Sequence, residues 1–81
     1  MIRVVLTGNL RRLVGGASEI ELEAGTIGQL FRALDARYPG IAPHLEEGVA
    51  VAIDGEIFQD ALFEPIPPGA EVHLMPQIAG G

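Results

Sequence analysis

The sequence predicts an α+β domain in which one main helix packs on one face of a mixed sheet of four or five strands. Short β-prone segments lie near both ends of the 81-residue chain, and a capped amphipathic helix lies between them. The hydrophobic fraction of 48% is enough for one packed core. A chain of this length forms a single domain.

The first 23 residues predict a β-hairpin. Residues 2–7 are rich in β-branched side chains and predict a strand that is buried on both faces, or nearly so. Residues 8–17 are predicted to be a long connection. Residues 18–23 alternate between acidic and mostly apolar side chains, so Ile20 and Leu22 share one face of a half-exposed strand.

The main helix has a clear predicted start and end. Thr26 fits the N-cap position, and Gln29 occupies the third helical position of a capping box. Pro39-Gly40 ends the helix. Its apolar side chains recur at helical spacing and form one stripe: Ile27, Leu30, Phe31, Leu34 and Tyr38. This stripe predicts that the helix lies across the sheet.

The second half predicts a short helical turn followed by three strands. The turn falls at residues 41–45 and the first of these strands at 49–53. Asp54-Gly55 is a tight-turn signal, so residues 56–58 are expected to return as a short partner strand. A proline-rich loop then leads to the last strand, residues 70–75.

These elements pack most economically with the first and last strands side by side, parallel and at the centre of the sheet. The first hairpin then flanks one side and the 49–58 pair flanks the other. This is the β-grasp, or ubiquitin-like, arrangement. It divides the chain into a domain, residues 1–75, and a flexible C-terminal tail, residues 76–81, that projects past a central strand.

Composition excludes several kinds of function. The net charge is −6, with all five basic residues, each an arginine, in residues 1–37 (net +1) and a net charge of −7 in residues 38–81. This acidity argues against nucleic-acid binding and suits docking on a basic partner, although it also serves simple solubility. Without cysteine or lysine, the chain has no thiolate nucleophile, Schiff-base lysine or P-loop lysine.

Neither a metal site nor a membrane segment is expected. His44 and His73 are two lone histidines far apart in the sequence, and both fit ordinary turn or surface roles. No apolar run reaches the length of a membrane-spanning helix, and no signal peptide is recognisable, so we expect a cytoplasmic location and no membrane partner.

The Gly80-Gly81 pair has two interpretations. Glycine loses the most conformational entropy on ordering and adds no side chain to packing, so a terminal pair is either a frayed chain end or the carrier of a carboxylate that reacts. In the second interpretation the carboxylate of Gly81 is threaded into a narrow site in another protein, where a Cβ would obstruct. Its position beyond the last strand of a β-grasp pattern favours the second interpretation.

The chain resembles the MoaD/ThiS family of ubiquitin-like sulfur carriers over nearly its whole length. The resemblance rests on residues 1–5, Met-Ile-Arg-Val-Val, on Leu10-Arg-Arg-Leu-Val-Gly15, and on the helix that begins at Thr26. It continues through Val51-Ala-Ile-Asp-Gly55 and the stretch from Pro68 to Gly81. The Leu10–Gly15 stretch and the chain length favour the MoaD branch, the small subunit of molybdopterin synthase.

The resemblance implies a protein co-substrate without catalytic activity of its own. An E1-like adenylating enzyme (MoaB/MoeB/ThiF type) would use ATP to convert the Gly81 carboxylate to an acyl-adenylate. A sulfur donor protein would then displace AMP and leave a thiocarboxylate. The chain itself would bind no cofactor. The sulfur would go to molybdopterin, with a MoaE-like large subunit as partner, or else to thiamine, an amino acid or another metabolite. A ubiquitin-like protein modifier and a plain interaction domain remain as alternatives.

The residues predicted to carry this function lie in and around the tail. Gly81 carries the reacting group, and Gly80 keeps the end of the tail narrow. Partner contacts are predicted at these positions: Thr7, Arg11, Phe58, Met75, Pro76, Gln77, Ile78 and Ala79. Thr7 and Met75 stand where MoaD-like proteins often place aromatic residues, and Arg12 and Gln77 also depart from the usual pattern.

Overall fold

The structure, a computed structural model, describes residues 1–8, 10–46, 48–59 and 61–76, without the side chains of Glu46 and Pro76. Within these ranges five strands and three helices follow one another along the chain. They are β1 (Ile2–Leu6), α1 (Leu10–Leu13), β2 (Glu19–Leu22), α2 (Ile27–Arg37), α3 (Ala42–Glu46), β3 (Val49–Ile53), β4 (Glu56–Phe58) and β5 (Glu71–Pro76).

The strands form one sheet in the order β2-β1-β5-β3-β4. The two central strands, β1 and β5, are parallel, and the other neighbouring pairs are antiparallel. The prediction is confirmed: the fold is α+β, of the β-grasp or ubiquitin-like type, with the first and last strands at its centre.

The core lies between the sheet and α2. Val4, Val72 and Leu74 on the central strands are fully buried, as are Leu30 and Leu34 on α2. Alternation places every second strand residue on this face, which is why the apolar positions of β1, β2 and β5 meet the helix stripe. Phe31 and Tyr38 complete that stripe as partly buried residues at its margin.

The N-cap of α2 forms as predicted, with a small difference in the capping box. The Thr26 Oγ1 accepts a hydrogen bond from the Gln29 backbone N–H at 3.1 Å. The Gln29 Oε1 accepts from the backbone N–H of Gly25 at 2.8 Å, one residue before the cap. Both bonds fix the start of the helix.

Two predictions about the N-terminal region need correction. β1 is buried on one face only, because α2 covers a single side of the sheet; Arg3 is exposed and Val5 half-buried. The connection between β1 and β2 contains the short helix α1, which the sequence prediction missed. It forms because Leu10 and Val14, four residues apart, are both buried in the core.

The β3–β4 turn is tied to the start of β5. Asp54 and Gly55 both have positive φ angles, 49° and 91°, as a two-residue type I′ turn requires. The Asp54 N–H donates to the Glu71 carbonyl at 2.9 Å, and the Glu71 N–H donates to the Asp54 Oδ1 at 3.0 Å.

Among the described residues, no helix is long and apolar enough to cross a membrane.

Candidate functional site

The site begins where β5 ends, since the predicted working tail follows it. On one side Leu74 pairs with Leu6, and both the N–H and the hydroxyl of Thr7 donate to the Leu74 carbonyl at 3.3 Å. On the other side Ala50 pairs with Met75 and Val49 with Pro76. β1 therefore holds β5 as far as Leu74, and β3 holds it as far as Pro76, its last residue.

The sheet face opposite α2 is largely exposed to solvent. The cross-strand pairs place Val5, His73, Ala52 and Ile57 in one row across four strands. Of these, only Ala52 is buried, and Ile57 is 62% exposed. Met75 and its partner Ala50 lie on the same face, closer to the end of β5. The row and this pair form a mostly apolar surface next to the root of the tail.

The far end of the same face is charged. The Arg3 guanidinium lies 3.3 Å from the Glu19 Oε1 and 3.4 Å from the Glu71 Oε2. The His73 Nε2 lies 2.8 Å from the other Glu71 carboxylate oxygen. These groups are about half exposed, so each pair contributes little to stability. Their effect is to divide the open face into a charged end and an apolar end.

An open depression of about 570 Å³ lies on this face between Ile57 and His73. Met75 borders it at the apolar end, and Glu71 at the charged end. The described residues contain no group of three or more acidic or histidine side chains placed to hold a metal ion. The described part of this face is therefore an open, mostly apolar surface beside the end of β5.

The model of the ThiS family matches residues 4–81. The chain belongs to the ThiS family. It is a ubiquitin-like sulfur carrier of the ThiS/MoaD type, and proteins of this type carry sulfur without being catalysts themselves. The resemblance stated from the sequence is thus confirmed at the level of the family. No curated protein sequence matches the chain significantly.

Solved structures of similar fold include two CysO proteins. CysO from Mycobacterium tuberculosis, described as an antigen, is 24% identical with a TM-score of 0.85, over 96% of this chain and 100% of that one. A chain of the BexX/CysO complex from Amycolatopsis orientalis is 22% identical with a TM-score of 0.83, over 100% of both chains.

A third similar structure is the complex of subunits 1 and 2 of the molybdopterin-converting factor from Helicobacter pylori. The matching chain is 22% identical with a TM-score of 0.66, over 99% of this chain and 97% of that one. At such identities the likeness shows the fold. Two of the three structures are complexes of this fold with a partner protein.

In this ThiS-family protein the predicted partner residues do not form one cluster. Thr7 lies beside the end of β5, and Met75 lies on the open face. Arg11 is exposed on α1, which packs next to β5, and its Nη2 lies 3.5 Å from the Gly16 carbonyl oxygen. Phe58 is half-buried opposite Val51, on the helix side of the sheet, so the structure separates it from Met75.

The tail residues fall largely outside the described part of the structure. Pro76 is the last residue of β5, one position beyond the predicted end of the domain at residue 75. Gln77, Ile78, Ala79, Gly80 and Gly81 lie outside the described residues. Their roles, and the division into domain and tail, stay predictions.

The sequence reasoning missed three exposed apolar side chains, Ile57, Leu62 and Phe63. Ile57 belongs to the open face, and the signal for it was present: the Asp54-Gly55 turn sets the pairing of β3 with β4, so Ile57 shares a face with Ala52. Phe63, which is 95% exposed, had no such signal. It lies in an irregular loop, where no periodicity separates a buried aromatic residue from an exposed one.

Proposed function

We propose that this protein carries sulfur as a thiocarboxylate on the carboxyl group of Gly81. An α-carboxylate is an anion at neutral pH and a poor electrophile, so it must first be activated. Attack of its oxygen on the α-phosphate of ATP releases pyrophosphate and forms a mixed anhydride with AMP. A sulfide-level nucleophile from a donor protein then adds to the carbonyl carbon and expels AMP, which leaves the C–S bond of the thiocarboxylate.

One observation carries this proposal: the family match runs from residue 4 through Gly81, so it takes in the tail as well as the domain. The sheet geometry supports it. Because β3 pairs with β5 as far as Pro76, the reach of the residues that follow is measured from a fixed origin. Five residues, 77–81, extend to about 17 Å at most, which is enough to enter a buried site in another protein.

The glycines and the proline of the tail fit this role. Gly80 and Gly81 lack a Cβ, so the reacting end needs only a narrow channel. Pro76 fixes one backbone dihedral at the root and lowers the entropy that the tail loses on binding. With no cysteine and no lysine in the chain, the terminal carboxylate is the group on which sulfur is carried covalently.

The partners follow from the chemistry. An E1-like adenylating enzyme binds ATP and performs the activation, since the chain has no nucleotide-binding motif. A sulfur donor protein supplies the nucleophile. The apolar end of the open face, with Met75 beside Thr7, is the surface that partners contact around the tail. Arg11, on the neighbouring helix, adds a positive charge at its border.

We propose molybdopterin biosynthesis as the destination of the sulfur, with a MoaE-like large subunit as the receiving partner. The Leu10–Gly15 stretch and the chain length favour this branch. Delivery to thiamine, an amino acid or another metabolite uses the same carrier chemistry, and conjugation through Gly81 to another protein uses the same activation. The destination is therefore a separate question from the carrier chemistry and needs its own test.

Intact-protein mass spectrometry tests the carrier chemistry. The protein is produced with its native adenylating enzyme and sulfur donor, and the expected result is a mass increase equal to the replacement of one oxygen by sulfur, confined to the C-terminal peptide. A variant extended by one alanine after Gly81 serves as the matched control and is expected to stay unmodified. An unmodified carboxylate in the unextended protein would refute the proposal.

Reconstitution tests the destination. The thiocarboxylated protein is mixed with a molybdopterin synthase large subunit from the same organism and the sulfur-free precursor, and molybdopterin is measured as its fluorescent oxidation product. We expect product formation and tight binding between the two subunits. Sulfur transfer only to a thiamine-forming system, or conjugation only to another protein, would refute this destination and support the corresponding alternative.

A further inference from the structure

A turn on the helix side of the molecule presents an aromatic side chain almost entirely to solvent. Phe63 is 95% exposed, the highest value among the exposed large hydrophobic residues of the described chain, and its neighbour Leu62 is 51% exposed. An isolated exposed apolar residue is ordinary. Two adjacent ones at the tip of a turn call for an explanation, because neither contributes much to the core.

The turn is held firmly in place by backbone hydrogen bonds to the start of α2. The Gly28 N–H donates to the Leu62 carbonyl at 2.8 Å, and the Ile27 N–H donates to the Glu64 carbonyl at 3.1 Å. Each acceptor is an immediate neighbour of Phe63 in the chain. Downstream, the Ile66 N–H donates to the Gly25 carbonyl at 2.9 Å, and the Ile66 side chain is buried. Phe63 is thus displayed by a fixed scaffold.

Gly28 allows the turn to lie close to α2. A Cβ at this position would lie 3.1 Å from the Leu62 carbonyl oxygen, closer than ordinary van der Waals contact. Glycine as the second residue of α2 avoids that contact. The sequence at the start of the helix therefore fits the close approach of the turn.

Beside the turn lies an apolar hollow of about 250 Å³. Leu62 lines it together with Ala61, Phe58 of β4, Phe31 of α2 and Val49 of β3. Leu62 therefore connects the hollow to Phe63. We call Phe63, Leu62 and this hollow the Phe63 surface. It combines a protruding aromatic residue with an apolar recess, the combination found at the centres of protein interfaces.

The sequence around the Phe63 surface is mainly acidic, and this favours a basic partner. Glu56 and Glu64 lie within two residues of Phe58 and Phe63, and residues 38–81 hold no arginine or lysine; the basic residue next to the surface in sequence is Arg32, which follows Phe31 on α2. A second copy of this chain would bring acidic segments together, and like charges across an interface are unfavourable. A partner with an apolar pocket rimmed by arginine or lysine is complementary. An enzyme that binds the polyanion ATP has positive potential near its active site.

We propose that the Phe63 surface docks the adenylating enzyme, with Phe63 inserted into an apolar pocket that carries a basic rim. This rests on the proposed carrier function and adds a second point of contact to it. The hollow is lined in part by Val49, which pairs with Pro76 at the end of β5, so the Phe63 surface lies on the helix side of the sheet near the start of the tail. Phe63 itself belongs to a separate turn and takes no part in the reaction, so docking through it affects affinity and leaves the chemical step unchanged.

Steady-state adenylation tests this proposal through the carrier-dependent exchange of pyrophosphate into ATP, catalysed by the native adenylating enzyme. We expect Phe63→Ser to raise the KM for the carrier at least tenfold with kcat unchanged, and Phe63→Tyr to stay within threefold of the original. Ala36→Ser, an exposed change on α2, is the matched control. Glu56→Gln combined with Glu64→Gln is expected to raise KM and to weaken its dependence on salt.

The outcomes separate the two proposals. If the unchanged protein supports no exchange, the carrier function fails. If it supports exchange but Phe63→Ser leaves KM within twofold, or lowers kcat alone, the docking proposal fails. Circular dichroism establishes that each variant is folded. Sedimentation velocity completes the design, because a concentration-dependent dimer that Phe63→Ser abolishes, with KM unchanged, would assign the surface to a second copy and overturn the proposal.

Discussion

Substitutions at Asp54 separate two contributions to the stability of the turn between β3 and β4, which is hydrogen-bonded to the start of β5. In the described chain Asp54 is the non-glycine residue with a positive φ, and its Oδ1 accepts the Glu71 N–H at 3.0 Å. Asp54→Ala removes that hydrogen bond, at a cost of about 1 kcal/mol. It also places alanine in the left-handed region, at about 1 kcal/mol more. The expected total is about 2 kcal/mol.

Two further variants at the same position divide that total. Asp54→Asn keeps an acceptor oxygen and tolerates positive φ, so we expect a change within about 0.5 kcal/mol. Asp54→Gly loses the hydrogen bond but removes the backbone strain of a non-glycine residue at positive φ. Glycine also raises the conformational entropy of the unfolded chain, which offsets part of that gain, so the expected loss of stability is about 1 kcal/mol. Glu56→Ala, an exposed neighbour, should lie within about 0.5 kcal/mol.

Urea unfolding followed by circular dichroism measures these differences. A domain of this size is stable by about 8 kcal/mol, so Asp54→Ala removes about a quarter of the total. Its melting temperature should fall by about 8–16 °C. The reasoning is refuted if Asp54→Ala costs less than about 0.5 kcal/mol, or if Asp54→Asn is as harmful as Asp54→Ala.

Three other predictions concern the core, the helix cap and the open face. Leu74→Ala should destabilise the domain by about 3 kcal/mol in urea unfolding because Leu74 is fully buried between β1 and β3, and a loss below about 1 kcal/mol would contradict that burial. Thr26→Ala should cost about 1 kcal/mol by the same measurement, since it removes the hydrogen bond to the Gln29 N–H; equal stability would show that the cap is dispensable. Arg3→Ala should cost no more than about 0.5 kcal/mol at low salt and nothing at high salt, because its partners Glu19 and Glu71 are exposed. A larger loss that persists in salt would mean that Arg3 acts through packing.

The regular elements were predictable because each has a strong local cause. The Thr26 cap, the Asp54-Gly55 turn and the alternation around Ile20 all act within a few residues of chain. The central position of β5 followed from packing economy. Helix α1 was missed because its four residues are too few to show a periodic pattern. The helix forms through tertiary contacts, namely the burial of Leu10 and of Val14, which follows the helix.

The surface was harder to predict than the core. The side on which a strand residue lies depends on register, and register is set by a partner distant in sequence. Phe58 and Met75 are both apolar and both at strand ends, yet pairing with Val51 turns one toward α2, and pairing with Ala50 places the other on the open face. The exposure of Phe63 depends on backbone contacts between its turn and α2, which no local pattern encodes.

The placement of β5 between two neighbours has a mechanical consequence. A pull on Pro76 along the axis of β5 loads the hydrogen bonds to β3, which reach Pro76, and those to β1, which end at Leu74. Two ladders, and not one, then resist the movement of β5. A partner that draws the end of the chain inward therefore pulls on a central strand of the sheet.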